Sequence, residues 1–380
     1  MRTEVDTLRV LVVSHAAVVA TNQEPFHALA QAGQHVSIVA PRALDTDIRG
    51  RVELAPLAGL AADLIGLSVA VGGYKRWLGG QRGIHAIWYR NLRWAVREAA
   101  PDVIFIEEEP FSVAAWQCAR EAARIHVPFV VHENQNIDRR LPPPFAQIRR
   151  FVLARAAGVT VRNRAADDVV RAAGFAGPIA SFPHAVDPAR YDTDARDAGL
   201  AAPVVGFVGR LVPEKGLTAL IAALEGLGAS LLVIGDGPER AASEAHAARL
   251  GVAARFEGAV PHDQVPSWYG AMDLVVIPSR TTPTWMEQFG RIVIEANAAG
   301  VPVIVSDSGE LPHTVAATGG GLVVPEGDVA ALRDALGQLL GDDARRRALG
   351  VAGRTAVEAR FTPEAVARDL AAFLSEAAAR

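Results

Sequence analysis

Short apolar runs alternate with longer alanine-rich segments along the whole chain, and this alternation is the strongest restriction on the fold. In the first half, the runs that end in polar residues are LRVLVVS, HVSIVA, DVIFIE, PFVVHE and GVTVRN. After residue 203 they are VVGFVGR, SLLVIGDG, DLVVIPS and VPVIVSDSG. Continuous apolar runs are typical of strands buried on both faces of a parallel sheet, with helices as the crossovers. The sequence therefore predicts an α/β protein.

A polar stretch interrupted by proline divides the two series of strands around residues 183–202. A chain of 380 residues is long enough for about two domains with separate cores. We therefore expect an N-terminal Rossmann-like domain over residues 1–185 and a C-terminal one over residues 186–360. The last segment, 361–380, has a proline at its first helical position and apolar residues at helical spacing, which predicts a terminal helix.

Composition excludes several kinds of protein. The formal net charge is -4 and the chain has one cysteine, Cys118. Disulfide frameworks and cysteine-based zinc clusters need several thiols, and nucleic-acid binding usually needs a basic excess. No segment approaches the roughly 20 apolar residues of a membrane-spanning helix. The N-terminal residues are typical of a strand rather than of a signal peptide. We expect a cytoplasmic protein without nucleic acid as a partner.

The most informative segment is PSRTTPTWMEQFGRIVIEANAAGVPVIVSDSGELPHTV, residues 278–315. Glu287 lies in a loop after a strand, and Glu295 lies about two turns into the helix that Phe289 and Gly290 open. Backbone N–H groups at such a helix start can bind oxygen-rich ligands, and glycine permits close approach. Glu295 follows three apolar residues, so it needs polar partners if it is buried. The alternative is an ordinary loop acid and a solvated helix residue.

A second segment, VVGFVGRLVPEKGLTAL, carries two cations beside a helix start. The strand delivers Gly209 and Arg210 to a loop, and Lys215 stands just before the next helix. An arginine and a lysine placed in this way can clamp a diphosphate. Ordinary surface charge is the alternative, although Lys215 and Lys75 are the only lysines among 38 basic residues.

Together these motifs resemble the retaining glycosyltransferases of family 4 (GT4). Glu287 to Glu295 is the E-x7-E pattern in an EQFGR form, and the resemblance continues through GRLVPEKG, IGDGP, FEGAVP and GGGLVVPEGD. The family implies the GT-B fold, with two facing Rossmann-like domains and a C-terminal helix that packs back on the N-terminal domain. It also implies transfer of a sugar from a UDP- or GDP-sugar to a hydroxyl of a glycan, lipid-linked or small-molecule acceptor. No obligatory cofactor is expected.

The resemblance implies a role for each matching residue. Arg210 and Lys215 correspond to the pair that holds the donor diphosphate and stabilises the leaving group. Glu287 corresponds to the carboxylate beside the donor sugar, and Glu295 to the one that accepts hydrogen bonds from the ribose. His132, at the end of PFVVH, corresponds to a histidine that reaches the donor sugar, although a lone histidine there is otherwise more often structural. The other donor-binding residues are Gly209, Gln288, Phe289 and Gly290.

Acceptor residues are expected in the N-terminal domain. Glu133 and Asn134 follow His132 in the same loop and could bind acceptor hydroxyls. Among the adjacent acids Glu107, Glu108 and Glu109, at least one could do the same, with Glu109 as the candidate. The alternative for three adjacent acids is a partly solvated edge of the sheet.

The first loop, SHAAVVATNQEPF, departs from the family. Many relatives place paired glycines there, which bring the backbone close to phosphate groups, but this loop has none. Polar side chains could supply the contacts instead, and the candidates are Ser14, His15, Asn22 and Gln23.

Two short acidic patterns could indicate a metal site. The D-x-D tripeptides at residues 45–47 and 192–194 are weak magnesium signals, because each offers only two carboxylates in polar sequence. We expect no metal.

The arginine-rich segment 139–158 could contact an anionic membrane surface or a lipid-linked acceptor. The alternative is a helix whose arginines are solvated on its outer face.

Two other functions fit the same architecture. A nucleotide-sugar epimerase would interconvert the donor without an acceptor, and a phosphorylase would need inorganic phosphate or a pyridoxal cofactor. A non-catalytic sugar-binding protein is a third possibility, but the missing export signal and the paired cations argue against it.

Overall fold

The chain folds as two separate units, here called unit 1 and unit 2. The computed structural model describes residues 7–46, 50–59, 61–71, 84–192 and 196–380. Unit 1 comprises Met1–Ala185 and Pro363–Arg380, and unit 2 comprises Val186–Thr362. Each unit is described by itself.

The strands of unit 1 are β1 Arg9–Ser14, β2 His35–Pro41, β3 Ala43–Thr46, β4 Gly50–Glu53, β5 Asp63–Leu67, β6 Val69–Val71, β7 Ile87–Tyr89, β8 Val103–Glu107, β9 Phe129–Glu133, β10 Gly158–Val161 and β11 Ile179–Ser181. Seven of them form a parallel sheet in the order β11-β10-β9-β8-β1-β2-β5. The other four form two antiparallel pairs, β3 with β4 and β6 with β7.

Helices cover both faces of this sheet. The first five are α1 Glu24–Gln31, α2 Leu92–Ala99, α3 Val113–Ile125, α4 Phe145–Leu153 and α5 Arg164–Ala172. Alternate residues of β1 face opposite sides, so Leu11 packs into one core with α2 to α5. Val10 packs into the other core with α1. Such burial on both faces explains the continuous apolar run of the strand.

Unit 2 is built around a six-stranded parallel sheet. Its strands are β12 Val204–Val208, β13 Ser230–Ile234, β14 Ala254–Gly258, β15 Leu274–Ile277, β16 Val303–Ser306 and β17 Gly321–Val324, in the order β14-β13-β12-β15-β16-β17. The helices are α6 Leu217–Leu224, α7 Arg240–Arg249, α8 Pro266–Tyr269, α9 Arg291–Ala298, α10 Leu311–Thr318, α11 Val329–Leu340 and α12 Asp343–Arg360.

The last helix, α13 Pro363–Ala378, returns to unit 1 and packs against α1. Its predicted apolar face is buried, with Val366 and Leu370 facing the sheet core. Phe373 lies against Gly158, where an added Cβ would be 2.7 Å from the ring. The expectation that the terminal helix packs back on the N-terminal domain is confirmed.

Both sheets reverse their strand order at one point. In unit 1 the reversal lies between β1 and β8, and in unit 2 it lies between β12 and β15. Ligands of open α/β sheets bind outside the carboxyl ends of the strands at such a reversal. The residues that follow these four strands are therefore the places to look for chemistry.

The α/β prediction is confirmed, and every strand that the sequence predicted is present. The sequence missed the edge strands β5, β11, β14 and β17, together with the two antiparallel pairs. An edge strand is only partly buried, so its apolar pattern is weaker: β14 has one buried residue in five. Within the described residues, no helix combines the length and apolarity needed to cross a bilayer.

Candidate functional site

In unit 2, the loops after β12 and β15 bring Lys215 and Glu287 into contact. Lys215 Nζ forms an ion pair with Glu287 Oε1 and lies 4.8 Å from the centre of the Trp285 ring. Ser279, just after β15, donates a hydrogen bond of 2.8 Å to the same carboxylate oxygen. Glu287 is 8% exposed, so the ammonium compensates a charge that burial disfavours. Two predicted site residues thus form one charged pair.

The backbone next to Lys215 fixes this arrangement. A single 3₁₀ turn, Pro213–Lys215, ends at Gly216, which has φ of 70° and precedes α6. An added Cβ at Gly216 would lie 2.0 Å from the carbonyl oxygen of Pro278. Only glycine allows the Lys215 loop to approach the end of β15 this closely.

Gly209 and Arg210 leave the end of β12, as the sequence predicts. The N–H of Gly209 donates to the carbonyl of Ile234 at 2.9 Å, which ties the loop to β13. Arg210 is exposed, and the described part of the chain supplies no ion-pair partner for its guanidinium. This side chain can therefore reach an anionic ligand.

Glu295 is buried in α9 and already has protein partners. It is 4% exposed, and the Tyr269 hydroxyl donates to Oε2 at 2.9 Å. Arg291 Nε lies 2.8 Å from Oε1 and forms an ion pair. Burial, followed by the charge of Glu295, raises the pKa of Tyr269 well above its usual value, so the phenol remains a donor. The alternative of a solvated helix residue is wrong.

The start of α9 presents backbone rather than an aromatic side chain. Gly290 has φ of 75° and caps α9, and no side chain caps this helix end. An added Cβ at Gly290 would lie 2.4 Å from Leu311 Cδ2. The Phe289 ring is buried in the core, while Gln288 is exposed. A ligand here would meet main-chain groups and Gln288.

In unit 1, His132 lies near the end of β9 and is 3% exposed. Its Nδ1 is 3.0 Å from Thr160 Oγ1, and Arg162 Nη2 is 3.1 Å from its Nε2. A guanidinium can only donate, so Nε2 accepts and the proton lies on Nδ1. Burial, followed by the charge of Arg162, lowers the pKa of His132 well below its usual value. His132 is a neutral imidazole with both nitrogens engaged.

Arg162 is a residue that the sequence analysis missed. It follows β10, is 9% exposed, and lies 3.4 Å from Glu107 Oε1 and 3.3 Å from His184 Nδ1. It therefore connects the ends of β8, β9 and β10. The only signal was its position directly after the strand in GVTVRN.

The acids Glu107, Glu108 and Glu109 differ in exposure, since Glu108 is buried while Glu107 and Glu109 are half-buried. Glu107 accepts a hydrogen bond of 2.7 Å from Ser14, and burial raises its pKa. Glu109 Oε2 accepts the N–H of Asn134 at 3.2 Å. Burial, followed by the Glu109 carboxylate, raises the pKa of Glu133 well above its usual value. Glu133 is 1% exposed, which leaves Glu109 as the more accessible member of this pair.

Glu108 holds His15 at the strand reversal of unit 1. The carboxylate accepts the backbone N–H of His15 at 2.9 Å, lies 2.7 Å from its Nδ1, and accepts the Tyr89 hydroxyl at 3.1 Å. Burial alone would lower the pKa of His15, but Glu108, assisted by Glu107 and Glu109, raises it to about 9. The imidazole is thus protonated at neutral pH.

The other polar candidates of the first loop serve the loop itself. Ser14 accepts the N–H of Ala17 at 3.1 Å, in addition to its bond to Glu107. Gln23 is fully buried and donates to the carbonyls of Ala17 and Ala55. Asn22 donates to the carbonyl of Ala16. Ser14 and Gln23 are fully buried and therefore structural, which corrects the expectation that they supply ligand contacts, whereas that expectation for the half-buried Asn22 stays a prediction.

Among the described residues, no three His, Cys, Asp or Glu side chains are arranged to hold a metal ion. Of the two D-x-D tripeptides, Asp192 forms an ion pair with Arg354 at 2.8 Å, whose hydrogen bond lowers the pKa of the carboxyl. Asp47, Thr193 and Asp194 lie outside the described residues.

Two protein-family models match the chain, one in its N-terminal half and one in its C-terminal half. The model described as "Glycosyltransferase Family 4" matches residues 26–190, and the model described as "Glycosyl transferases group 1" matches residues 194–356.

Two curated relatives extend this similarity. The chain is 32% identical over 354 residues to the 2-deoxystreptamine N-acetyl-D-glucosaminyltransferase of Streptomyces fradiae, which covers 85% of this chain and 80% of that protein. It is 37% identical over 224 residues to the GDP-mannose-dependent alpha-(1-6)-phosphatidylinositol monomannoside mannosyltransferase of Mycobacterium tuberculosis. That alignment covers 54% of this chain and only 58% of the mycobacterial protein.

A solved structure has the same fold over almost the whole chain. The HepE protein of Anabaena, in complex with UDP, has a TM-score of 0.70 and is 18% identical. The superposition covers 96% of this chain and 99% of that one.

Proposed function

Because the chain belongs to glycosyltransferase family 4, we propose that it transfers a sugar from a nucleotide diphosphate sugar to a hydroxyl of an acceptor. The observation that carries this proposal is the charged pair of Lys215 and Glu287 at the strand reversal of unit 2, beside the exposed Arg210. Cations aimed at the place where charge develops on a leaving diphosphate are the main source of rate gain in such a reaction.

Lys215 and Arg210 have different parts in this proposal. Lys215 is preorganised, because Glu287 and the face of Trp285 hold its ammonium in place. Arg210 is exposed and can offer two N–H groups to the same diphosphate. The carboxylate of Glu287 lies beside the donor sugar, and the N–H groups at Phe289 and Gly290 approach its hydroxyls.

Glu295 is the residue that binds the nucleotide part of the donor. Tyr269 and Arg291 hold this carboxylate in one orientation, so its remaining lone pairs can accept from the ribose hydroxyls. The nucleotide is UDP or GDP: one similar structure contains UDP, and one relative is named as GDP-mannose-dependent.

The reaction proceeds with retention of the sugar configuration. The bond from the anomeric carbon to the diphosphate oxygen breaks, and the acceptor oxygen forms the new bond on the same face. The acceptor proton passes to the departing phosphate oxygen, whose negative charge Lys215 and Arg210 stabilise. Both nitrogens of His132 are engaged by Thr160 and Arg162, so its part is to hold Arg162 in place rather than to contact the sugar.

The acceptor is a polyhydroxylated ring of the cyclitol class, free or lipid-linked. The relatives described above are named for phosphatidylinositol monomannoside and 2-deoxystreptamine, and inositol and deoxystreptamine are both six-membered carbocycles with several hydroxyls. Glu109 and Asn134, at the ends of β8 and β9, accept and donate hydrogen bonds to these hydroxyls, and Glu133 supports Glu109 from below the surface.

A panel of nucleotide sugars tests the proposed function. UDP-, GDP- and ADP-sugars are each added to the protein, and the midpoint of thermal unfolding is measured. A donor at about 100 times its dissociation constant should stabilise the protein by about 2.7 kcal/mol, because it binds only the folded state. The donor that stabilises it is then incubated with myo-inositol and with 2-deoxystreptamine, and the glycosylated product is measured by mass spectrometry.

The same incubation distinguishes a transferase from an epimerase and from a phosphorylase. An epimerase would change the donor sugar without any acceptor, and a phosphorylase would release a sugar phosphate only when inorganic phosphate is present. If a donor stabilises the protein but no acceptor causes release of nucleoside diphosphate, the transferase assignment is contradicted.

A peripheral membrane contact is a further part of the proposal, and its location differs from the sequence prediction. In segment 139–158 the apolar residues Phe145 and Leu153 are buried in the core and Phe151 is half-buried, so α4 has no exposed large apolar side chain. Two tryptophans of unit 1 are exposed instead, Trp88 on β7 at 41% and Trp94 on α2 at 52%. The rings of Trp88 and Trp116 lie 6.2 Å apart in a tilted arrangement, and the Arg120 guanidinium lies 4.8 Å from the centre of the Trp116 ring.

This tryptophan and arginine surface fits an anionic lipid bilayer. The exposed arginines on α2, α3, α4 and the turns beside them include Arg90, Arg93, Arg97, Arg120, Arg124, Arg150 and Arg155. Tryptophan is favoured at the boundary between headgroups and acyl chains, and each arginine near an anionic surface contributes about 1 kcal/mol. A lipid-linked acceptor would be presented at such a surface.

Vesicle sedimentation tests this contact. The protein should bind phosphatidylcholine vesicles that contain about one third phosphatidylglycerol, and Arg97→Glu should weaken binding about tenfold, because it exchanges attraction for repulsion. Trp94→Ala should weaken it as well, while Val351→Ala, which removes an exposed apolar side chain in unit 2, should not. Equal binding to pure phosphatidylcholine, or dimer formation without vesicles, would contradict a lipid partner.

A further inference from the structure

Arg162 is the residue at which the ends of neighbouring strands of unit 1 meet. It follows β10 directly and is buried. Its Nη2 lies 3.1 Å from Nε2 of His132 and 3.4 Å from Oε1 of Glu107. Its Nη1 lies 3.3 Å from Nδ1 of His184, which follows β11. The guanidinium therefore joins the ends of β8 and β9 to the chain beyond β11.

His132 acts as a support for this guanidinium. Because an arginine side chain only donates, Nε2 of His132 accepts, and Nδ1 carries the proton that Thr160 Oγ1 accepts at 3.0 Å. Burial, followed by the charge of Arg162, lowers the pKa of His132 well below its usual value, so the ring stays neutral. With both nitrogens engaged inside unit 1, the ring positions Arg162 and has no role at the sugar.

Glu107 is the member of this network that stands at the strand reversal of unit 1. It ends β8 beside the last residue of β1, Ser14, and ligands of open α/β sheets bind at such a place. Among the described residues, Ser14 donates to Oε2 at 2.7 Å and Arg162 donates to Oε1 at 3.4 Å. A carboxylate oxygen can accept two hydrogen bonds, and the Glu107 side chain is 11% exposed. A ligand hydroxyl can therefore still donate to it.

The charges around Glu107 decide whether it is ionised. Burial raises the pKa of Glu107, and the charge of Arg162 is the largest effect that opposes burial. The other charged groups that face it are His15, which also lowers this pKa, and Glu108, which raises it. Tyr89 donates to Glu108 and stays a neutral phenol, because burial, followed by the charge of Glu108, raises its pKa well above the usual value. Loss of Arg162 would thus favour the protonated form of Glu107.

We propose that Arg162 is a positioning residue for the acceptor: it holds the carboxylate of Glu107 in one orientation, and this carboxylate accepts a hydrogen bond from an acceptor hydroxyl. This inference rests on the proposed function, because it adds Glu107 to the acceptor site of Glu109 and Asn134. A hydrogen bond to an ionised group is about twice as strong as one between neutral groups. The alternative is an ion pair that only stabilises the ends of the strands.

Arg162→Gln tests this role through the pH dependence of acceptor binding. Titration calorimetry measures binding of myo-inositol between about pH 5 and pH 8, a range in which myo-inositol has no ionisable group. We expect the variant to bind myo-inositol about tenfold more weakly at neutral pH. Affinity falls with pH as Glu107 becomes protonated, and this fall should begin at least about one pH unit higher in the variant. The reason is that an opposite charge this close lowers a carboxyl pKa by about 1–3 units.

Two further arginine variants serve as controls. Arg162→Lys keeps the positive charge but loses the planar fork, so it should keep the pH dependence of the wild type while its affinity falls about threefold. Arg346→Gln makes the same change as Arg162→Gln at a similarly buried side chain in unit 2, 12% exposed against 8%, which pairs with Asp343. It should leave the affinity and the pH dependence unchanged.

Variants of Glu107 keep the test valid if Arg162→Gln alone fails to fold. Glu107→Gln should bind myo-inositol about tenfold more weakly and show no fall in affinity at low pH. In the double variant with Arg162→Gln, neither charge is left buried alone. Because Arg162 acts only through Glu107, the double variant should bind no more weakly than Glu107→Gln.

The outcomes separate this inference from the proposed function. Equal affinity and equal pH dependence in Arg162→Gln and the wild type would overturn the inference while sugar transfer stands. Full additivity in the double variant would also overturn it, because Arg162 would then act independently of Glu107. If binding depends on both residues but no sugar is transferred, the proposed function fails and the site remains. If the wild type binds neither myo-inositol nor 2-deoxystreptamine, Glu107 is not part of a cyclitol site.

Discussion

Replacement of Lys215 by alanine is expected to lower the turnover number about a hundredfold, which corresponds to about 2.7 kcal/mol of transition-state stabilisation. The ammonium of Lys215 is the preorganised cation at the strand reversal of unit 2, held by Glu287 and by the face of Trp285. Charge grows on the leaving diphosphate only during reaction, so removal of the cation should affect turnover more than donor binding.

The same replacement leaves Glu287 without its cation, and this effect must be separated from catalysis. Glu287 is 8% exposed, and the loss of an ammonium partner from a carboxylate with such burial lowers stability. Glu287→Gln in the Lys215→Ala background removes that charge while Ser279 can still donate to the amide oxygen. We expect the double variant to recover thermal stability but not turnover.

Steady-state kinetics and thermal unfolding of both variants provide the measurement. Lys75→Ala, at the only other lysine of the chain, is the control for loss of a positive charge. Wild-type turnover in Lys215→Ala would remove this residue from the site. Recovery of turnover in the double variant would mean that Lys215 serves only to neutralise Glu287.

The sequence was most informative where a single local segment carries the whole pattern. The central strands could be predicted because both of their faces are buried, so their apolar runs are continuous. The E-x7-E segment places Glu287 and Glu295 around a single helix start, and the structure confirms that position for both. The partners of these acids, Lys215 and Tyr269, come from other loops and helices.

Prediction was weakest where the order of strands decides which residues meet. His15 and Glu108 are 93 residues apart in the chain, and they touch only because β1 and β8 are neighbours in the sheet. Arg162 reaches Glu107 and His132 for the same reason. A composition or spacing argument treats Glu107, Glu108 and Glu109 as one acidic run, whereas the sheet gives each acid a different partner.

Gly216→Ala is expected to destabilise unit 2 by about 3 kcal/mol, whereas Gly228→Ala should cost about 1 kcal/mol. The two glycines flank α6 and have nearly the same φ, 70° and 69°. A methyl group at Gly228 would meet nothing within 4 Å, but at Gly216 it would lie 2.0 Å from the carbonyl oxygen of Pro278. The strain of a positive φ is common to both variants, so the difference measures the close approach alone.

This close approach also bears on activity, because it joins the Lys215 loop to the end of β15, where Ser279 positions Glu287. To remove the overlap, the loop must move away from Pro278, and the ammonium of Lys215 must move with it. A displacement of about 1 Å in a catalytic group can cost about a hundredfold in rate. Gly216→Ala should therefore lose turnover as Lys215→Ala does, while Gly228→Ala keeps it. Equal midpoints of thermal unfolding and equal turnover in the two glycine variants would show that the contact with Pro278 does not position Lys215.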